Sequence, residues 1–153
     1  MLTTVEVTNK LAFVDRNDQL ECVSVCEDFP DVTIEHDTAT CKMFQIVGGR
    51  VANLTIMRGG KAIIEGGVVK QTTVQDQGEL LVLSQFIADE VVVECRGRLG
   101  IMWTALYQMQ HTIKLRPGAF VLCGGISIQV HETDTMENIL EFFKPQQQAN
   151  RTN

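Results

Sequence analysis

The residues of this 153-residue chain that could carry chemistry are three histidines, five cysteines and a few arginines at one corner of a repeat. His36, His111 and His131 stand far apart, and none has a partner at a metal-ligand spacing such as HxxxH, so each reads as a surface or strand residue. Cys22 and Cys26 are four residues apart and would share one strand face. A zinc site there needs two further ligands, and only His36 and Cys41 are near. No metal is expected. His131, Glu132 and Asp134 form a local acidic cluster at the start of a predicted helix, where capping accounts for it, with Asp134 three residues before Glu137. The chain contains no GxSxG elbow, no Walker loop, no GxGxxG after a strand and no Ser-His-Asp order. Neither catalytic residues nor cofactors are expected, and the chain reads as non-enzymatic.

One electrostatic feature stands out. Aligned as repeats, Arg96 and Arg116 fall beside the same corner of successive rungs, with Arg98 close by. Stacked in this way, Arg96, Arg98 and Arg116 would present a small cationic ladder to a carboxylate or phosphate. The plainer reading is a solvated corner whose arginines pair with Glu79, Glu90 or Glu94.

The elements that must position these residues are strands. Apolar and polar residues alternate in Val5-Glu6-Val7, Cys22-Val23-Ser24-Val25-Cys26, Val32-Thr33-Ile34-Glu35 and Ile126-Ser127-Ile128-Gln129-Val130, the period of a half-buried strand. In the middle of the chain a repeat of about 19 residues emerges. The run from Val51 aligns with that from Val69 at an offset of 18, a third copy starts at Ala88, and a weaker fourth starts at His111. The glycine between the two strands of each copy falls at Gly60, Gly78, Gly97 and Gly118, spaced 18, 19 and 21 residues apart. Glycine supplies the positive φ or the close approach that a corner of a stacked coil requires.

The predicted fold is therefore all-β, a parallel β-helix or solenoid of about 19-residue repeats with a short C-terminal capping helix. The alternative is an antiparallel β-sandwich or jelly roll with hairpins of similar length. One β domain is expected over residues 1–143, with a repeat core at 48–130, a helix at 135–143 and a polar, flexible tail at 144–153. Val32-Thr33-Ile34 followed by Phe44-Gln45-Ile46 is a candidate further rung without the glycine. Met136, Ile139, Leu140 and Phe143 recur at helical spacing, whereas segments 78–88 and 99–109 carry no such start and stop signals and are not read as helix.

A formal charge of −6 and a pI near 5.0 disfavour a protein built to grip phosphate backbone, so nucleic acid is not an expected partner. No apolar run approaches the roughly 18 residues of a membrane helix, and no basic-then-apolar leader opens the chain. Cytoplasmic residence is the expectation, or the cell surface if the chain is a fragment. The odd number of cysteines, spread through apolar stretches, reads as buried reduced thiols.

Gly48-Gly49-Arg50-Val51-Ala52-Asn53-Leu54-Thr55-Ile56 through Gly66-Gly67-Val68-Val69-Lys70-Gln71-Thr72-Thr73-Val74 resembles the stalk repeats of AIDA-type autotransporter adhesins, over about residues 48–101. That resemblance implies a right-handed parallel β-helix that spaces or displays a surface adhesin and carries no catalytic residues. The same fold would also suit a phage or viral structural component. A fainter resemblance, in Arg96-Gly97-Arg98-Leu99-Gly100-Ile101 with residues 113–122, is to the closing strands of the trimeric dUTPase fold. The expected function is a structural or interaction module that self-assembles or meets a protein or surface through its strand edges or a lateral face. The alternative is a ligand-binding jelly roll or dUTPase-like trimer.

Overall fold

The computed structural model describes residues 4–7, 10–13, 22–23, 28–34, 43–46 and 50–145, with side chains placed at 46 and 50–145. Its strands in chain order are β1 (Thr4–Val7), β2 (Lys10–Phe13), β3 (Cys22–Val23), β4 (Asp28–Ile34), β5 (Met43–Ile46), β6 (Arg50–Ile56), β7 (Lys61–Ile64), β8 (Val68–Val74), β9 (Glu79–Val82), β10 (Glu90–Val93), β11 (Arg98–Ile101), β12 (Ile113–Leu115), β13 (Phe120–Cys123) and β14 (Ile126–Gln129). Helix α1 spans Trp103–Gln108 and α2 spans Met136–Phe143.

From β2 to β13 successive strands alternate between two sheets. Sheet A runs β12-β10-β8-β6-β4-β1-β2 and sheet B runs β14-β13-β11-β9-β7-β5-β3. From β4 to β12 and from β3 to β13 every pairing is parallel, which makes a β-solenoid of roughly four turns and decides against the antiparallel sandwich. The candidate upstream rung is present, with Val32 in register with Leu54 and Phe44 with Ala62. The terminal strands turn back, β1 and β2 antiparallel at one end of sheet A and β14 antiparallel at one end of sheet B.

Inward positions stack into columns along the axis: Leu54-Thr72-Val91-Ile113 and Ile56-Val74-Val93-Leu115 in sheet A, Ala62-Leu80-Leu99-Val121 and Ile46-Ile64-Val82-Ile101-Cys123 in sheet B. Apart from half-buried Leu115, all are buried. Each large aliphatic side chain in these columns contributes about 1.5 to 3 kcal/mol through burial. Thr72 is the one buried polar residue among those described, 1% exposed, and its Oγ1 has no hydrogen-bond partner among them.

The corner between the sheets is a stack of β-turns. The N–H groups of Gly60, Gly78, Gly97 and Ala119 donate to the carbonyls of Met57, Gln75, Glu94 and Arg116 at 2.8 to 3.0 Å. The third residue of each turn has a positive φ: Gly59 (78°), Gln77 (62°), Arg96 (63°) and Gly118 (93°). These four also bond along the axis, Gly59 N–H to Gln77 O at 2.9 Å, Gln77 N–H to Arg96 O at 3.0 Å and Arg96 N–H to Gly118 O at 2.9 Å. The left-handed conformation costs a non-glycine residue about 1 to 2 kcal/mol, and here the unbroken axial ladder holds Gln77 and Arg96 in it.

This register corrects the fourth repeat. Gly118 stacks on Arg96, and Ala119 occupies the column of Gly60, Gly78 and Gly97. The added length comes from α1, a helix in segment 99–109 that was not expected. Its N-cap Met102 makes no side-chain bond, and there is no acidic residue in its first turn and no basic one in its last, so its boundaries carry no signal in residue type. It forms because Ala105 and Leu106 are buried and because Trp103 Nε1 donates to Leu140 O at 3.0 Å, tying α1 to α2.

At α2 the cap lies one residue later than predicted. Thr135 accepts from the Asn138 N–H at 3.1 Å, while Asp134 accepts from the His131 backbone N–H at 2.7 Å. Ile139, Leu140 and Phe143 are buried, so the helix covers core as expected. The tail residues 146–153 lie outside the described residues.

Candidate functional site

The three arginines proposed as an anion ladder do not converge on one ligand. Arg96 donates from Nη2 to Asp76 Oδ2 at 2.6 Å, and Arg116 Nε lies 3.8 Å from Glu94 Oε1, each reaching a carboxylate of the preceding rung. Parallel register sets Arg116 beside Glu94 and two positions from the residue that stacks on Arg96. Arg98 belongs to a different surface, the outer face of sheet B, where its guanidinium carbon sits 5.9 Å from the centroid of the Phe120 ring.

Among the described residues no group of His, Cys, Asp and Glu could hold a metal ion. Cys26, His36 and Cys41 lie outside the described residues. Cys123 is a buried thiol whose pKa is pushed up by burial, as a core cysteine requires. Cys95 departs from the buried-thiol reading: it sits at the second position of a corner turn, where the side chain points out, and is exposed.

The surface that brings functional residue types together is that outer face. Two outward columns cross it. One reads Lys61, Glu79, Arg98, Phe120, the other Ile63, Leu81, Gly100, Leu122. Lys61 Nζ lies 3.6 Å from Glu79 Oε1, and Glu79 is in register with Arg98, so charge alternates up the first column before Phe120. The second column is apolar and interrupted. Gly100 adds no side chain to this column, and Leu81 leans over it, so that a Cβ added there would sit 3.0 Å from Leu81 Cδ1. The result is a depression of about 320 Å³ lined by Glu79, Arg98, Leu99, Gly100, Phe120, Leu122 and Ser127. Leu122 at its wall is 44% exposed.

Of these residues the sequence singled out Arg98, with Glu79 named as a carboxylate for an arginine to pair with. A signal for the rest exists in Phe120-Val121-Leu122-Cys123, a strand apolar at every position, as strands covered on both faces are. Locating the depression also needs the inter-strand register, which aligns Gly100 with Leu81 and Leu122.

No helix among the described residues is long and apolar enough to cross a membrane. Comparison with protein-family models, with curated proteins and with solved structures finds no match for this chain.

Proposed function

We propose that this chain is a non-enzymatic β-solenoid interaction module that associates with a second copy of itself through the outer face of sheet B. The observation that carries this reading is the self-complementarity of the two outward columns. A two-fold axis running along the strands between β9 and β11 sets β9 of one copy over β11 of the other, and β7 over β13. Glu79 then meets Arg98 of the second copy, the two Leu81 side chains, each leaning over its own Gly100, pack against each other at the axis, Ile63 faces its Leu122, and Lys61 faces its Phe120 ring. The outward residue types have fitting counterparts: acid with base, aliphatic with aliphatic, cation with ring. The ligand-binding jelly roll or dUTPase-like alternative draws no support from the parallel ladders.

Light scattering over a range of concentrations tests this. The wild-type mass rises above the 17.0 kDa of one chain, Arg98→Glu returns it toward the monomer, and the charge swap Glu79→Arg with Arg98→Glu restores association. A wild-type protein that stays monomeric throughout, or an Arg98→Glu variant that associates like wild type, overturns the proposal.

A further inference from the structure

We infer a second docking site at the C-terminal end, a groove between β14 and α2 that takes an extended peptide with basic flanks as an added strand of sheet B. It lies outside the columns proposed for self-association, although Ser127 borders the depression beside them, and Phe142→Ser and Leu122→Glu distinguish the two.

Among the described residues the backbone of β14 has one free edge: the strand is last in sheet B and pairs there only with β13. Val130 N–H donates to Ala119 O at 2.8 Å, so the period of two along the strand turns the peptide groups of Ile128 and Ile126 toward β13 and those of Ser127 and Gln129 away from it. The outward groups are an open template for one more strand.

Beside this edge lies a groove of about 520 Å³ lined by Ile128, Gln129, His131, Asp134, Asn138, Ile139 and Phe142. Its apolar floor and wall are Ile128, Ile139 and Phe142, the last 57% exposed on a helix that otherwise buries its aromatic face. An added strand would hydrogen-bond to β14 and lay alternate side chains against these residues, the arrangement in which main-chain bonds give affinity and side-chain pockets give preference.

Charge selects the occupant. The turn before α2 and the exposed side of α2 carry Glu132, Asp134, Glu137 and Glu141, against His131, which is already beside Asp134 at 3.5 Å, and Lys144 past the helix end. Two copies of this end brought edge to edge would oppose acid to acid. A strand with Lys or Arg at its ends meets complementary charge instead.

Calorimetric titration of the full chain with a short peptide of alternating valine and threonine, lysine at each end, tests the site. Saturable binding is expected, and glutamate in place of the lysines weakens it about tenfold or more. Two variants assign it. Ser127→Pro deletes an outward N–H at an edge position that accommodates proline, and Phe142→Ser removes the exposed wall while leaving the buried face of α2 intact; each weakens binding about tenfold, near 1.4 kcal/mol. Leu122→Glu, which disrupts the self-association face, leaves peptide binding unchanged. The inference is overturned by absence of saturable binding to wild type, by equal affinity for the glutamate-ended peptide, or by binding that Phe142→Ser does not weaken. Edge-to-edge dimers that Ser127→Pro abolishes, in a protein that ignores the peptide, would assign the edge to a second copy and overturn it too.

Discussion

The outer faces of the two sheets share one core and one set of turns, yet they are built differently. Sheet A presents Asn53, Gln71 and Glu90 in one outward column and Thr55, Thr73, Val92 and Lys114 in the next. Sheet B presents an alternating-charge column that ends on Phe120, beside Ile63, Leu81, Gly100 and Leu122. The inward columns behind both faces are equally buried, so folding alone does not ask for leucine at 81 or 122 any more than for threonine at 55 or 73. Threonine suits a pleated surface left in water. Aliphatic residues on an outward column, next to a depression lined by Phe120 and Leu122, suit a surface that meets another. The contrast teaches that stability and the proposed association draw on separable sets of residues, one pointing in and one pointing out of the same strands.

The largest expected effect breaks the corner that joins the faces. A Cβ at Gly78 would sit 2.6 Å from the Ile56 carbonyl oxygen and one at Gly97 2.8 Å from that of Val74, both backbone atoms with no freedom to retreat. Gly78→Ala and Gly97→Ala are each expected to cost roughly 2 to 3 kcal/mol in denaturant unfolding. Neither effect depends on what the outer faces carry.

Next in size is the core shared by both faces. Thr72 interrupts an otherwise aliphatic column with a hydroxyl that has no partner among the described residues. Thr72→Val keeps the shape, removes the unmet polar group and is expected to raise stability by about 1 kcal/mol, read as a shifted denaturation midpoint with unchanged slope. Gln77→Gly should add about 0.5 kcal/mol, because relief of the left-handed strain at φ 62° outweighs both the added freedom of the unfolded chain and the exposed Arg58 to Gln77 side-chain bond of 3.1 Å.

The smallest change in stability, with the sharpest bearing on the comparison, belongs to Gly100→Ala. The new methyl would press on the Leu81 side chain, which can yield, so unfolding free energy moves by less than about 1 kcal/mol. Self-association is expected to weaken all the same, because Leu81, displaced from Gly100, no longer holds the position in which the proposed contact uses it. Thiol labelling gives an independent check on inside and outside: Cys95 reacts in the native protein, whereas Cys123, buried with its pKa raised, reacts only on unfolding.

The parallel stack was legible in the sequence because its corners need small residues at a fixed interval, and Gly60, Gly78 and Gly97 supply them. The last rung was misread for a physical reason. α1 forms through burial of Ala105 and Leu106 and through the Trp103 bond to Leu140, long-range contacts that leave no boundary signal, and its length displaces Gly118 by one position in the column. Gln77 and Arg96 occupy left-handed positions that residue type would not assign to them; bonds between rungs hold them there. The face of sheet B was less legible still. Whether Leu81, Gly100 and Leu122 line up depends on register across three strands, and only Arg98 and Glu79 stood out by residue type.

Sedimentation velocity on two paired variants tests most directly whether sheet B carries the contact: Leu81→Glu with Leu122→Glu on sheet B, and Thr55→Glu with Thr73→Glu on sheet A. With folding verified by circular dichroism, the sheet A pair is expected to associate like wild type and the sheet B pair to sediment as a monomer. Equal association of both pairs, or a wild-type chain that is monomeric at every concentration, would contradict the assignment of the contact to sheet B.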